Sequence, residues 1–519
     1  MIKNLWRYLN STVGGGATLI AFFSIVSKLL GLVRDRLFAG TFGAGQELDI
    51  FFAAFKNPDA IFNILVLGAL TSAFIPIFHR SWTRNKDEGL LLANSVLNLL
   101  LLVIGFCAII LWIGAPLLVQ YIVPGFGPEA KDSTIDLTRI LLLSLIFFTF
   151  SNVMSGILNS WHKFFTFALS SVLYNLGIIA GILFLYPLYG LAGLSWGVVL
   201  GSALHLLVQL FEAWGRGWRY RPIIAASSDL RRIFKLMIPR MIGLAGFQFS
   251  WIFMTTLASL LPIGSLSIFS LAYNLQSFPV SIFGISLAVA AFPTIINFIS
   301  EKDDKGLKRF LVKQISRILF YLIPVAVLML IMRAQIVRIV LGTGAFDWND
   351  TILTANSLGI FSLSIVAQGL IPLLSRAFYA HEDTKTPVII SLLSVFLNAI
   401  LAILFSQNFG LLGLTASFSI ASIVNLILLF VVLRVRIGDF GDSYFIAMII
   451  RLCASSVVAG LTAYGLLYMM APLVDMRTFI GIFTQLLVAG CGGVLVYVLI
   501  ALWARFPEVD FMKFRYIKK

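Results

Sequence analysis

The sequence predicts an all-α polytopic membrane protein of about fourteen transmembrane helices, arranged as two six-helix lobes plus two extra C-terminal helices. Three observations carry that reading. Of 519 residues, 60% are hydrophobic and only 12% are charged, about half the charged share of a soluble globular domain. The apolar residues gather in blocks of roughly 20, the length that crosses a hydrocarbon core of about 30 Å. Stretches 90–112, 388–405 and 480–503 are examples. The loops between blocks alternate between basic and non-basic, in phase along the chain.

The expected spans run near 17–40, 48–78, 90–121, 135–160, 164–187, 190–213, 231–262, 265–300, 307–333, 351–380, 385–407, 410–434, 443–470 and 478–504. The first span follows an N-terminus without a small-residue cleavage site, so it reads as retained rather than as a removed signal. One set of loops holds His79, Arg80, Arg84, Lys86, His162 and Lys163, then Arg216, Arg219, Arg221, Arg231 and Arg232. Lys302, Lys305, Lys308, Arg309, Lys385, Arg434, Arg436 and a tail with Lys513, Arg515, Lys518 and Lys519 complete it. The other set, including 129–132, 186–189 and 347–350, is short or weakly acidic. Positive loops stay inside, which places both termini in the cytoplasm and explains the net charge of +15 without nucleic acid. The long basic loop 214–230 reads as an orientation signal attracted to anionic lipid headgroups.

Spans one to six and seven to twelve form two six-helix blocks, as in transporters built from related halves. The corresponding division is residues 1–226, 227–440 and 441–519. Cys107, Cys453 and Cys491 all fall in apolar blocks, and the four histidines are scattered. Neither disulfides nor a metal site is expected. No nucleotide-binding loop and no nucleophile–base set occurs, so the chain reads as a transporter, not an enzyme, with no cofactor.

An ionisable residue inside a membrane span costs enough to be a functional hypothesis by default. The densest group is Lys28-Leu-Leu-Gly31-Leu-Val-Arg34-Asp35-Arg36, followed by Asp49-Ile-Phe-Phe-Ala-Ala-Phe-Lys56-Asn57-Pro58-Asp59. Lys28 and Arg34 lie about 120° apart around a helix. Gly31 is expected to mark a bend, and Pro58 to interrupt the second helix. Broken backbone at membrane depth is tolerated where it lines a cavity, and Arg and Lys hold a diphosphate by charge-assisted hydrogen bonds. Asp35 and Asp49 are expected to set the position of these cations. The bland alternative is that Arg34, Arg36 and Lys56 snorkel to an interface as anchors. Asn152, Asn159, Asn175, Gln248, Asn274, Gln276, Gln368 and Asn398 read as hydrogen-bond links between helices. Asn274 and Gln276, just before Pro279, are the better cavity candidates among them.

These residues, with Phe42-Gly43-Ala44-Gly45, Gly68-Ala69, Ala73-Phe74-Ile75-Pro76, Pro124-Gly125-Phe126 and Asp383-Thr384-Lys385-Thr386-Pro387, resemble the MurJ/MviN lipid II flippases over essentially the whole chain. The resemblance implies the multidrug/oligosaccharidyl-lipid/polysaccharide exporter fold, with two lobes in a V around a cationic cavity. It implies a tail groove on the last two helices and alternating access for a lipid-linked peptidoglycan precursor. Arg34 matches the family's first-helix arginine, Lys28 an upstream basic position and Asp49 a loop aspartate. Well-known members carry an arginine and a glutamate at Phe62 and Leu67, an arginine at Asn274 and a gate arginine at His381. Some relatives bind sodium among carboxylates of helices seven and eleven, whereas 231–262 and 385–407 hold no Asp or Glu. Membrane potential is then the expected drive, with sodium or proton coupling as alternatives. The expected partners are that precursor, membrane lipids and cell-wall synthesis machinery, for a monomer. Competing functions are export of another polyprenyl-linked oligosaccharide or of a drug, and a non-transporting envelope scaffold.

Overall fold

The computed structural model describes residues 13–67, 74–438 and 442–511. Gly68, Ala69 and Ala73 of the motif and the basic tail from Lys513 lie outside the described residues, as do the side chains of Leu67 and Arg240. The chain divides into two compact units, Met1–Ser267 and Ile268–Lys519. The three-part division expected from a repeat of six remains a proposal.

The first unit contains α1 (Val13–Phe42), α2 (Gln46–Ile61), a π-helical stretch Phe62–Leu67 and a short α3 (Ile75–Arg84). It continues with α4 (Lys86–Ile122), α5 (Pro128–Ser160), α6 (Phe164–Tyr189), α7 (Leu191–Gly215) and α8 (Ser228–Ser259). Local chemistry sets several starts. Asn85 accepts from the Asp87 amide at 2.9 Å and Ser227 from the Leu230 amide at 3.1 Å, so α4 and α8 begin with capped donors. Proline at the first turn opens α5. Val96, Leu97, Leu100 and Ile104 of α4 pack on Leu142, Leu145, Met154 and Ile157 of α5 to make the apolar core.

Helices α6 and α7 approach through glycine. A Cβ on Gly177 would lie 2.2 Å from the Gly201 Cα, and one on Gly197 would lie 2.5 Å from the Gly181 Cα. In lipid the hydrophobic effect does not draw helices together, so this small-residue contact is what lets the backbones pack. The basic loop is also more ordered than an orientation signal requires. Asn94 donates to the Arg219 carbonyl (3.1 Å) and accepts from the Arg221 amide (3.0 Å). Asn98 donates to the carbonyls of Arg221 (2.7 Å) and Ile223 (3.0 Å), and Ser95 accepts from the Ala225 amide (3.0 Å). An extended strap is thus paired to one face of α4, which satisfies backbone groups that a helix would otherwise pair internally.

The second unit holds most of α9 (Ser265–Ser300), then α10 (Asp304–Ile331), a short α11 (Arg333–Val340), α12 (Trp348–Ser362) and α13 (Ile365–Ala380). It ends with α14 (Lys385–Ile437), α15 (Asp442–Met470) and α16 (Phe479–Trp503). The last two helices pack on α10 through Leu328, Met332, Ala463, Leu467 and Ala489. Tyr497 donates to the Phe320 carbonyl at 2.9 Å, and buried Glu508 accepts from Ser316. Gln276 and Gln368 exchange amide hydrogen bonds at 3.0 and 3.1 Å, so Gln276, favoured from the sequence as a cavity residue, serves as an interhelical link.

Among the described residues, nine helices are long and apolar enough to cross a membrane, and α12–α13, bent by 42°, is a tenth candidate. The spans expected at 385–407 and 410–434 are the two limbs of the 53-residue α14, which meet at Gly410 (φ 55°, ψ −131°). α1 and α8, at 30 and 32 residues, have the length to cross. Two irregularities repeat in the two halves. Pro58 precedes the π stretch Phe62–Leu67, and roughly 220 residues on Pro279 precedes the π stretch Val280–Ile285. Gly190 joins α6 to α7 (φ 57°, ψ −144°) much as Gly410 joins the limbs of α14. The internal symmetry is therefore carried by breaks and turns more than by side chains.

If the glycine contact holds α6 against α7, Gly197→Leu forces the backbones apart and costs about 1–3 kcal/mol or more. A thermal melt of the purified chain should show a marked fall for Gly197→Leu. Gly105→Ala, whose added methyl meets nothing within 4 Å, should melt with the wild type.

Candidate functional site

The first unit brings α1, α2 and α6 together around Arg34. The Arg34 Nε and one terminal nitrogen donate to Asp35 Oδ1 at 3.0 and 2.8 Å. The other terminal nitrogen donates to Asn175 Oδ1 on α6 at 3.3 Å. Asp35 is 3% exposed and the Arg34 side chain 22%. Asp35 holds the guanidinium inside the unit, where a lone cation would cost about 2.5–3.5 kcal/mol or more. A guanidinium has five N–H donors. Three are engaged among the described residues.

Lys28 lies mid-helix and is exposed. Lys56 is half-buried on α2 and stands 4.5 Å over the Trp251 ring of α8, a cation–π contact sequence inspection did not anticipate. Asp59, one turn along α2, places an opposite charge beside it. Tyr174, next to Asn175, is within electrostatic reach of Arg34 and Asp59. Lys28, Arg34 and Lys56 thus occupy one unit, and two of the three have an acidic neighbour on their own helix.

Asp49 does not set the position of those cations. It is 4% exposed, and it accepts from the Gly264 amide (2.7 Å), the Ser267 amide (2.7 Å) and the Ser267 hydroxyl (2.5 Å). Its carboxylate satisfies orphan donors where a helix begins, the usual task of an acidic cap. The turn it holds is tight: Gly264 has φ +90°, and a Cβ there would lie 2.0 Å from the Ala44 carbonyl oxygen. The Gly-Ala-Gly run at 43–45 is therefore a packing motif at this turn.

Two hinge expectations fall on other residues. The helix runs unbroken through Gly31, which faces Asn175, and an added Cβ would meet only Asn175 Oδ1 at 4.0 Å. α2 likewise continues past Pro58 to Ile61, and the irregularity comes one turn later in the π stretch. Proline removes the N–H that would pair with the Ala54 carbonyl. The Thr138 hydroxyl of α5 reaches that carbonyl at 3.5 Å, so the helix survives. Phe62 opens the π stretch and packs on Phe148, ring centroids 5.2 Å apart. Asn274 sits half-buried in the second unit.

His381 ends α13 in a loop beside Asp383, which accepts from the Thr386 amide (3.0 Å) and hydroxyl (2.7 Å) and pairs with Arg436. Partial burial and then the Arg436 charge lower the His381 pKa, against the pull of Asp304 and Asp383. Unlike an arginine at this position, His381 is neutral near pH 7. The Asp383 carboxyl is held below its usual range, first by the Thr386 amide and then by its hydroxyl and Arg436.

A family model described as Lipid II flippase MurJ matches residues 38–488. A probable lipid II flippase MurJ of Rhizobium tropici is 28% identical over 468 residues, 87% of this chain and 85% of the relative. The Lipid II flippase MurJ of Burkholderia cenocepacia is 27% identical over 448 residues, 83% of this chain and 84% of that one. A solved lipid II flippase MurJ in an inward closed conformation superposes with a TM-score of 0.79 at 25% identity, covering 96% of this chain and 100% of the other. An inward-facing multidrug resistance MATE transporter of the MOP superfamily matches at a TM-score of 0.68 and 18% identity over 80% of this chain, which speaks to fold alone.

Gly31→Ala should leave transport intact and firm α1 by up to about 1 kcal/mol, read as complementation and melting temperature. Loss of transport with normal folding would restore Gly31 as a hinge. A pH titration of stability checks His381. As pH falls through the ordinary 6.5, the unfolded chain takes up a proton that the folded chain resists. Stability should drop with acid in that window, and His381→Gln should flatten the slope.

Proposed function

The chain belongs to the lipid II flippase MurJ family, and from that membership we infer how it carries an undecaprenyl-diphosphate-linked peptidoglycan precursor across the cytoplasmic membrane. It is a multi-pass membrane transporter, not an enzyme. It moves the headgroup to the outer leaflet by alternating access, and its substrate and surroundings are the lipid-linked precursor and membrane lipids.

Arg34, Lys28 and Lys56 hold the diphosphate. The observation that carries this reading is the Arg34 guanidinium, fixed inside the first unit by Asp35 and Asn175 with two N–H groups open among the described residues. Two parallel donors on a planar cation suit phosphate oxygens better than a rotating ammonium does. Asp35 balances the Arg34 charge while the site is empty. An arriving diphosphate takes over part of that pairing, so binding exchanges one anion for another and needs no bare buried charge.

Membrane potential is the drive this arrangement favours. With the inside negative, each negative charge carried outward gains about 2.3 kcal/mol per 100 mV. The basic loops favour an orientation with both termini in the cytoplasm. A monomer suffices for the cycle, and cell-wall synthesis machinery that supplies or consumes the precursor is the fitting protein partner. No second function is favoured by a specific contact.

Arg34→Ala should abolish rescue of a strain depleted of its own flippase, with accumulation of lipid-linked precursor and normal amounts of variant protein in the membrane. Full growth on Arg34→Ala removes the residue from the mechanism.

A further inference from the structure

We propose that Asn175 is a positioning residue that aims Arg34 at the diphosphate; the proposal rests on the reading of Arg34 given above. Asn175 is 7% exposed, within a membrane span. A single interhelical link would need one of its groups, but all of them are in use. Its two amide N–H groups are shared among three acceptors, the Ser27 carbonyl (3.3 Å), the Ser27 hydroxyl (3.1 Å) and the Ser171 carbonyl (3.1 Å). The Ser27 hydroxyl in turn donates to the Ser171 carbonyl at 3.1 Å. These contacts fix the amide's orientation, so that only its oxygen faces Arg34.

The need for such a residue follows from helix geometry. Arg34 and Asp35 are adjacent in sequence, so their side chains leave the helix about 100° apart. Asp35 alone, gripping the Nε side with a single oxygen, would draw the guanidinium around the helix and leave it free to tilt about that contact. Asn175 engages the far nitrogen from a second helix, and with both ends held the guanidinium plane is set. It is also a neutral acceptor. A carboxylate at this place would compete with the diphosphate for the same cation, whereas an amide oxygen orients the group and leaves its charge in place.

The test is a double-mutant cycle on the purified full-length chain, with lipid II as the probe and its dissociation constant read by titration. Asn175→Ala should weaken binding about tenfold, the usual scale for a hydrogen bond to a charged group. Arg34→Ala should weaken it further, and adding Asn175→Ala to Arg34→Ala should change nothing more. Where Asn175→Ala does not fold, Ser27→Ala removes a partner of the Asn175 amide and should cost about two- to threefold, again only while Arg34 is present. A residue that only packs helices would weaken binding equally with and without Arg34, so additive losses overturn the proposal, as does unchanged affinity in Asn175→Ala or Ser27→Ala alongside a damaged Arg34→Ala. Unchanged affinity in Arg34→Ala is a different failure: it overturns the diphosphate reading, and the Asn175 role with it.

Discussion

A cation held at membrane depth must have an anion with it at every stage, and the site is organised around that constraint. Removing one partner of a buried pair costs about 3–5 kcal/mol, more than the pair adds to stability. The chain meets this at Arg34 with the next residue, Asp35, and at Lys56 with Asp59 and the face of Trp251. The pairs are local, within one helix, so they survive whatever rearrangement the helices undergo. A transporter that faces two sides of a membrane in turn gains from this, because its empty return step carries no exposed charge imbalance at Arg34. On the proposed reading, the substrate's diphosphate enters as a competitor of Asp35.

The same reasoning applies to the backbone. Helix irregularities in lipid persist only where freed carbonyls and amides find partners. Pro58 leaves the Ala54 carbonyl to Thr138, and the π stretch follows one turn later. Pro279 and its π stretch repeat the device in the second half. Gly190 and Gly410 repeat a sharp joint between neighbouring spans. The side chains around these points differ between the two halves while the backbone breaks match: a break requires specific compensation from a neighbouring helix, and a lipid-facing side chain requires only that it be apolar. π-helical insertions are also where helices change curvature, so the two matched insertions are the natural places for each half to bend.

Much of this was legible in the sequence, and what was not has a common cause. Apolar runs of membrane length placed most of the long helices, and the joint at Gly410 fell at the first residue of the span expected at 410–434. Arg34 and Asp35 stood out because charge in an apolar run has no trivial explanation. The partners were hidden. Nothing in the order of residues says that α6 turns Asn175 toward Arg34, that α8 sets Trp251 under Lys56, or that Asp49 reaches a turn more than two hundred residues away. The strongest available signal was a polar side chain inside an apolar helix, which flagged Asn175 and Gln276 alike. One serves the site and the other pairs with Gln368, and only tertiary contacts tell them apart. Pro58 and Gly31 misled for the complementary reason. Propensity describes an isolated helix, and Thr138 and Asn175 change the balance from outside it.

The positions where arginine is replaced now take on a physical meaning. Phe62 packs on Phe148 in the first unit, Asn274 is neutral, and His381 is neutral near pH 7 because burial and Arg436 disfavour its charged form. Fewer fixed charges mean weaker long-range attraction for the headgroup, and each lost unscreened contact lowers affinity. For a carrier, that is not simply a defect. A diphosphate gripped by four or five guanidiniums would leave slowly, since differences in affinity appear mainly in the rate of release. On the proposed reading, a site built on Arg34, with its guanidinium held from two helices, recognises by orientation instead of by accumulated charge. On the reading proposed above, it releases the headgroup once the outer side opens, and a membrane potential acting on the anion itself would supply the direction that tight binding would otherwise have to oppose.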